Sequence, residues 1–149
     1  MEICRPRRTF ADFVEACREA GLSPTPQREV IYSVLAASED HPTADEVHQR
    51  VREVDRRISL ATVYRNLRLF ADAGLIEEVA TGGNFARYDA NQATHYHLVC
   101  KRCGSVADVA ADVLPDVGNV RRVVEGFEVQ DLKVNLLGLC AACRAASEA

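Results

Sequence analysis

Residues 95–104 read HYHLVCKRCG and combine an apolar strand pattern with two signals of metal binding. His95 and His97 are two positions apart, so a strand directs both imidazoles to the same side. Cys100 and Cys103 form a C-x-x-C knuckle, which presents two sulfurs to one ion. The segment therefore predicts the first strand of a small metal-binding domain.

A second C-x-x-C knuckle follows near the end of the sequence. Together the two knuckles complete a tetrahedral thiolate site for structural zinc, formed by Cys100, Cys103, Cys140 and Cys143. The 36 residues between Cys103 and Cys140 exceed the usual zinc-ribbon gap of about 15–20, and a strand, a helix and a hairpin can fill them. A redox dithiol and coincidental buried thiols are the alternatives. Structural zinc is favoured because a redox C-x-x-C normally opens a helix in a thioredoxin-like unit, and two copies are unusual.

The composition changes near residues 89–96, from a helix-rich to a strand-rich pattern. We therefore predict two domains, residues 1–90 and 91–149. In the second domain we predict strands at 97–100, 106–110 and 127–139, a helix at 114–125 and a frayed tail at 144–149.

Helical periodicity and capping signals dominate the first domain. We predict helices at 10–20, from Pro26 to the break at His41-Pro42, from the Thr43 capping box to about Val54, and at 59–73, followed by hairpin strands at 76–80 and 85–90. Thr25 and Ser59 are the predicted N-caps of the second and fourth helices. The third helix is expected to bury Val47, Val51 and Val54.

Helices followed by a hairpin form the outline of a winged helix-turn-helix. The helix from Ser59 is the predicted recognition helix, and its candidate DNA-contacting residues are Thr62, Tyr64, Arg65, Asn66 and Arg68. Arginine pairs phosphate or guanine, asparagine pairs adenine, and tyrosine packs on a thymine methyl or bonds a phosphate. Arg87 on the wing is expected to face the DNA backbone. From spacing alone, an amphipathic helix with a solvated basic face is an equally good interpretation.

Composition and charge limit the possible functions. The 149 residues carry 22 acidic side chains against 18 Lys plus Arg, and 48% are hydrophobic, so the chain is neither disordered nor a non-specific nucleic-acid binder. No apolar run approaches the ~20 residues that cross a bilayer, and no secretory signal is recognisable. A cytoplasmic location is expected, where paired cysteines more often bind metal than each other. Residues 1–90 have a net charge of −3, so DNA binding needs a local basic patch and two copies acting together.

Nitrogen and oxygen donors surround the H-x-H pair in sequence. Asp89 precedes it, Asp108 lies on the following strand, and His41 stands at the break between two helices. Mixed donors of this kind suit iron(II), manganese, zinc or nickel. On its own an H-x-H pair is weak, and two exposed strand histidines are the commoner explanation.

Five stretches taken together resemble the ferric uptake regulator family, over about residues 10–143 in unbroken order. They are HPTA at 41–44, SLATVYRNL at 59–67, RYD at 87–89, HYHLVCKRCG at 95–104 and GLCAAC at 138–143. The resemblance implies an α+β fold, with an N-terminal winged helix-turn-helix followed by a small α/β dimerisation domain that carries the zinc knuckle pair. It further implies a homodimeric repressor that binds a palindromic double-stranded DNA operator and holds one structural Zn²⁺ per subunit.

The resemblance also implies a regulatory site for one Fe²⁺ or Mn²⁺ per subunit. Its ligands carry over onto His41, Asp89, His95, His97 and Asp108. Iron-responsive members usually have Glu at the last position and peroxide sensors usually have Asp, so the chain looks most like a peroxide-responsive repressor. In such a repressor iron(II) reacts with hydrogen peroxide, the oxidant attacks His41 or His95, the metal is lost and DNA is released. The chain lacks a further C-terminal histidine that serves an additional metal site in many members.

Three other functions are weighed against this one. A plain iron-, zinc- or manganese-responsive repressor would lose its metal reversibly, without histidine oxidation. A non-haem iron oxygenase also uses two histidines and a carboxylate as metal ligands. No recognisable cosubstrate-binding Arg or Lys accompanies them here, so we expect that the protein is not an enzyme. A zinc module that binds protein partners is the third. We expect no membrane partner and no small-molecule substrate, except hydrogen peroxide as the signal.

Overall fold

A computed structural model describes residues 9–114, 125–129 and 132–148. The chain divides between Ala93 and Thr94 into two compact units, which we call the helical unit and the sheet unit. This division lies three residues after the boundary predicted between residues 90 and 91. The domain limits 1–90 and 91–149 stay a prediction. Residues 115–124, most of the predicted helix at 114–125, lie outside the described residues.

The helical unit contains four helices and one hairpin. They are α1 (Phe10–Glu19), α2 (Pro26–Ala36), α3 (Ala44–Val54), α4 (Leu60–Asp72), β1 (Glu77–Ala80) and β2 (Ala86–Asp89), and the two strands pair antiparallel. Hydroxyl oxygens of the predicted caps Thr25, Thr43 and Ser59 each accept a hydrogen bond from the backbone N–H three residues on. These three predicted helix starts are therefore confirmed, and the caps are local because each bond lies within one turn.

The core of the helical unit is built around three aromatic rings. Phe13 stacks on Tyr32 with 4.7 Å between ring centroids, and Phe70 meets both rings edge-on at 6.0 Å. Val47 and Val51 are fully buried, as predicted. Val54 is 67% exposed, so its predicted burial is wrong. It is the last residue of α3, where the buried face of the helix has already ended.

The sheet unit is organised around β3 (His95–Cys100). β4 (Val106–Ala110) pairs antiparallel with it on one side, and β5 (Asn135–Gly138) pairs parallel with it on the other. The strand predicted over 127–139 is wrong in extent, because in the described residues only Asn135–Gly138 forms a strand. A strand continues only where a neighbour offers ladder hydrogen bonds, and β3 offers them to these four residues.

The last element is α5 (Ala141–Glu148). The frayed tail predicted for 144–149 is wrong over the described residues, because the helix continues to Glu148. Arg102 donates from Nη1 to the carbonyl of Cys143 at 3.3 Å and to the hydroxyl of Ser147 at 2.8 Å, which ties the helix to the first knuckle. Over the described ranges, none of the helices combines the length and the apolar character that a membrane span requires.

Candidate metal centres and nucleic-acid interface

Four cysteines converge in the sheet unit, and the sequence predicted all of them. Their sulfurs, from Cys100, Cys103, Cys140 and Cys143, lie within 4.8 Å of one another. Cys103 and Cys140 come from different knuckles, with 3.7 Å between their Sγ atoms. Four sulfurs bound to zinc at 2.3 Å in a tetrahedron are about 3.8 Å apart. The cluster therefore fits a structural zinc ion in both donor type and spacing.

Hydrogen bonds shift the pKa values of the clustered thiols in different directions. Backbone N–H groups, that of Cys103 first and that of Cys140 second, lower the pKa of the Cys100 thiol to about 5. The hydrogen bond with Ser105 lowers the pKa of Cys103. Contact with the Cys140 sulfur raises the pKa of Cys143 to about 12. Several thiolates at this spacing repel one another, so a divalent cation is what allows the whole cluster to ionise.

The knuckles also bear on the redox alternative. The second knuckle opens α5, as a redox C-x-x-C does. Its sulfurs nevertheless face those of the first knuckle rather than standing alone, and the described cysteines are free thiols. Four converging sulfurs suit one metal ion better than two separate dithiols.

Two histidines and one aspartate meet on neighbouring strands of the sheet unit. Asp108 on β4 stands directly opposite His97 on β3. The Nε2 atoms of His95 and His97 are 3.0 Å apart, and Asp108 Oδ1 lies 3.5 Å and 3.6 Å from them. Two nitrogens bound at right angles to one ion at 2.1 Å are about 3.0 Å apart. The group therefore fits one face of a metal site with nitrogen and oxygen donors.

A second histidine–aspartate pair lies in the helical unit. His41 Nε2 is 3.2 Å from Asp89 Oδ2, and both side chains are buried. The other carboxylate oxygen of Asp89 accepts the backbone N–H of Asn91 at 2.9 Å. A buried imidazole and carboxylate with their donor atoms turned to each other are suited to share a cation.

The recognition helix α4 presents only part of its predicted DNA-contacting set. Arg65 and Arg68 are exposed, Thr62 is half-buried, and Tyr64 is 46% exposed with its hydroxyl donating to Asp45 Oδ2 at 3.0 Å. Asn66, also a candidate for DNA contact, is buried and does not share the exposed face of α4 with Arg65 and Arg68. Its Oδ1 accepts from Arg28 Nε at 3.1 Å, and its Nδ2 donates to the carbonyl of Thr62 at 2.8 Å.

The sequence predicts that Arg87 faces outward from the wing toward the DNA backbone, but in the structure it does not. Its side chain is only 16% exposed, and Nη1 donates to the backbone carbonyl of His41 at 3.0 Å. The expectation failed because the strand pattern places Arg87 on β2 but says nothing about which loop packs there. No sequence signal identified this contact.

A winged helix, a four-cysteine cluster and two sets of histidine and aspartate donors define a class: winged-helix regulators that bind metal. The sequence model of the Ferric uptake regulator family matches residues 19–137. The chain belongs to this family, whose members are regulators rather than enzymes and bind DNA operators as dimers.

Relatives in this family include peroxide-responsive regulators and ferric uptake regulators. The chain is 37% identical over 131 residues to the peroxide-responsive repressor PerR of Staphylococcus epidermidis, covering 88% of this chain and 87% of that one. It is similar to the Campylobacter jejuni peroxide stress regulator, with a TM-score of 0.68, 27% identity and coverage of 96% and 100%. The Pseudomonas aeruginosa ferric uptake regulator with manganese gives a TM-score of 0.71, 30% identity and coverage of 85% and 96%.

Proposed function

We propose that this chain is a metal-dependent transcriptional repressor that senses peroxide. The observation that carries the proposal is Asp108 beside His95 and His97, since the family resemblance associates Asp at this position with peroxide sensors. The peroxide-responsive repressor from S. epidermidis and the C. jejuni peroxide stress regulator support it.

Two ions per subunit serve this function. Zn²⁺ is structural and is held by the four cysteines. Fe²⁺ or Mn²⁺ is regulatory, and its ligands are the five residues His41, Asp89, His95, His97 and Asp108. The donor sets support the division, because thiolates select zinc whereas imidazole and carboxylate suit iron or manganese.

The five regulatory ligands explain how metal controls DNA binding. His41 and Asp89 belong to the helical unit, and the other three belong to the sheet unit. One ion that uses both sets stabilises the DNA-binding state by its differential affinity for that state. It thereby sets the spacing of the two recognition helices in a dimer, which must match half-sites a helical turn or a multiple apart.

Ferrous iron, if held by these residues, would supply the electrons that convert hydrogen peroxide into a strong local oxidant. We expect the oxidation at His41 or His95, the two ligands at which the family resemblance implies attack. An oxidised imidazole is a poorer donor, so the remaining ligands hold the ion less tightly. The DNA-binding state then loses its stabilisation, and repression ends.

DNA contact and dimerisation rest on separate surfaces. In the cytoplasm, α4 contacts a palindromic operator through Thr62, Tyr64, Arg65 and Arg68. The homodimer uses the sheet unit, which exposes several large apolar side chains, among them Leu98, Leu137 and Leu139. Replacing Leu137 with Asp should shift the protein to a monomer in sedimentation equilibrium, with its zinc content unchanged.

The deciding experiment is operator binding with iron(II) or manganese(II), each with and without dilute peroxide. The probe is a duplex selected from a random pool by the manganese-loaded protein. We expect both metals to support binding, and peroxide to release only the iron form. Mass spectrometry should then show a +16 adduct on the peptide that holds His41 or His95.

Asp108→Glu is the matched variant for this experiment. It keeps the charge and the donor type but changes the reach, so we expect metal-dependent DNA binding with reduced peroxide sensitivity. Iron-loaded protein without any +16 adduct would contradict peroxide sensing. Equal sensitivity of Asp108→Glu and the unmodified chain would remove the argument from this position.

A reversible metal-responsive repressor is the second candidate. The P. aeruginosa regulator with manganese favours it, because that regulator belongs to the same family and has a similar fold. DNA release on chelation of the metal, together with resistance of the iron form to peroxide, would establish this function instead.

A further inference from the structure

His41 has an unusual backbone conformation for a residue that is not glycine. Its φ is +50°, in the left-handed region, and no other non-glycine residue among those described shares this sign. Proline follows at position 42, and a residue before proline normally adopts extended backbone. The turn at His41 therefore needs tertiary contacts to hold it.

Strand β2 supplies these contacts from three successive residues. Arg87 Nη1 donates to the carbonyl of His41 at 3.0 Å. The backbone N–H of Tyr88 donates to the carbonyl of Pro42, also at 3.0 Å. Asp89 then meets the His41 ring, with 3.2 Å between Oδ2 and Nε2. Backbone and ring of His41 are thus both held from β2.

The guanidinium of Arg87 is itself fixed by its surroundings. Glu46 Oε2 lies 3.4 Å from Nη1, and the Arg87 Cζ atom stands 5.6 Å from the centre of the Phe85 ring. Glu46 is in turn anchored at the start of α3, where it accepts the backbone N–H of Thr43 at 2.8 Å. A cation held in this way is a fixed donor rather than a mobile surface charge.

We propose that Arg87 is a positioning residue for the metal ligand His41. By holding the His41 carbonyl, the guanidinium keeps the left-handed turn and aims the imidazole before any ion arrives. The proposal rests on the proposed function in one respect, namely that His41 binds the regulatory ion. Outer partners that orient a ligand typically change metal affinity by about 10–100-fold when they are removed.

The competing role for Arg87 is a phosphate contact from the wing. Each lost phosphate contact lowers the slope of log binding constant against log salt by about one. A positioning residue leaves this slope unchanged and alters metal affinity instead. Metal affinity therefore distinguishes the two roles, and it can be measured without the operator.

The test compares Arg87→Met, Arg87→Lys and Arg57→Met in the full zinc-loaded chain. Arg57 is the matched control, because it also pairs with a carboxylate, Asp55 at 3.0 Å, but its side chain is 88% exposed. Manganese(II) affinity is measured by competition with a chromophoric chelator. We expect a loss of at least about tenfold in Arg87→Met, partial recovery in Arg87→Lys and no change in Arg57→Met.

A second measurement reports on the turn without regulatory metal. Hydrogen exchange of the Tyr88 amide follows the bond to Pro42, and we expect it to accelerate in Arg87→Met alone. Unchanged manganese affinity, or unchanged Tyr88 exchange, in Arg87→Met would overturn the proposal, as would a lower salt slope. If His41→Ala binds manganese as tightly as the unmodified chain, the proposed role of His41 as a ligand of the regulatory ion is wrong. Tyr88 exchange still decides whether Arg87 holds the turn.

Discussion

Arg65 and Asn66 are adjacent on α4 but have different surroundings. Arg65 is exposed, whereas the amide of Asn66 is engaged by Arg28 and by the backbone of Thr62. A buried polar group that loses its partner is costly. The two side chains should therefore separate DNA affinity from stability when each is replaced.

Asn66→Ala should lower the free energy of unfolding by about 1–3 kcal/mol, because it leaves Arg28 without its buried acceptor. Arg65→Ala should leave stability nearly unchanged and lower the salt slope of DNA binding by about one. Urea unfolding and fluorescence anisotropy with a selected duplex at several salt concentrations measure both effects. The opposite pattern would mean that Asn66 contacts DNA and Arg65 does not.

Tyr88 makes stability depend on pH in the alkaline range. Burial, with a smaller effect from Glu78, raises its pKa from 10.0 to about 12. The unfolded chain ionises first, so the stabilisation is complete below pH 10 and is lost as pH rises toward 12. Tyr88→Phe should gain up to about 3 kcal/mol relative to the unmodified chain over this range. Parallel stability curves from pH 9 to 12 would contradict the shift.

At the scale of elements, α3 begins directly after the His41 turn. The Thr43 hydroxyl accepts the backbone N–H of Glu46 at 3.3 Å, and the Glu46 carboxylate accepts the backbone N–H of Thr43. This capping box fixes the start of the helix and the exit of the turn together.

Thr43→Ala should therefore cost about 0.5–2 kcal/mol of stability, whereas Thr43→Ser should keep most of it. Thermal unfolding of the zinc-loaded protein measures both variants. Equal melting temperatures for the alanine and serine variants would show that the cap does not stabilise α3.

Helix starts were predictable because each depends on a few adjacent residues. Thr25, Thr43 and Ser59 cap the predicted helices within one turn. Contacts between distant elements were not predictable in the same way. The burial of Asn66 depends on Arg28, which is 38 positions away, and Arg87 reaches His41 across 46 positions.

In the candidate site too, local features were predictable from the sequence and contacts between distant elements were not. Spacing identified the two knuckles, and an alternating pattern placed His95 and His97 on one side of a strand. That Asp108 lies opposite His97 depends on the register between β3 and β4, which only the structure gives. Family resemblance supplied the pairing of His41 with Asp89, since no spacing rule connects residues so far apart in sequence.

At the scale of the molecule, the two units should respond differently to loss of zinc. The four cysteines of the cluster lie in the sheet unit, while the helical unit has its own apolar core. Structural zinc contributes directly to folding. Cys143→Ser should therefore abolish zinc binding and increase deuterium uptake in the sheet unit, while peptides from the helical unit keep their protection.

Hydrogen–deuterium exchange with mass spectrometry measures this difference, and zinc content checks that the ion is lost. Equal loss of protection in both units would mean that they unfold as one. Retention of zinc with three cysteines would show that Cys143 is dispensable as a ligand.

The separation of the knuckles also matters while the chain is being synthesised. Between Cys103 and Cys140 lie 36 residues, which a ribosome translates in about 2–7 s at 5–20 residues per second. During this interval half of the thiolate set exists without the other half. The parallel partner of β3 is also still missing, because β5 immediately precedes the second knuckle. Nascent chains therefore pass through a stage in which the first knuckle can be oxidised or capture the wrong metal.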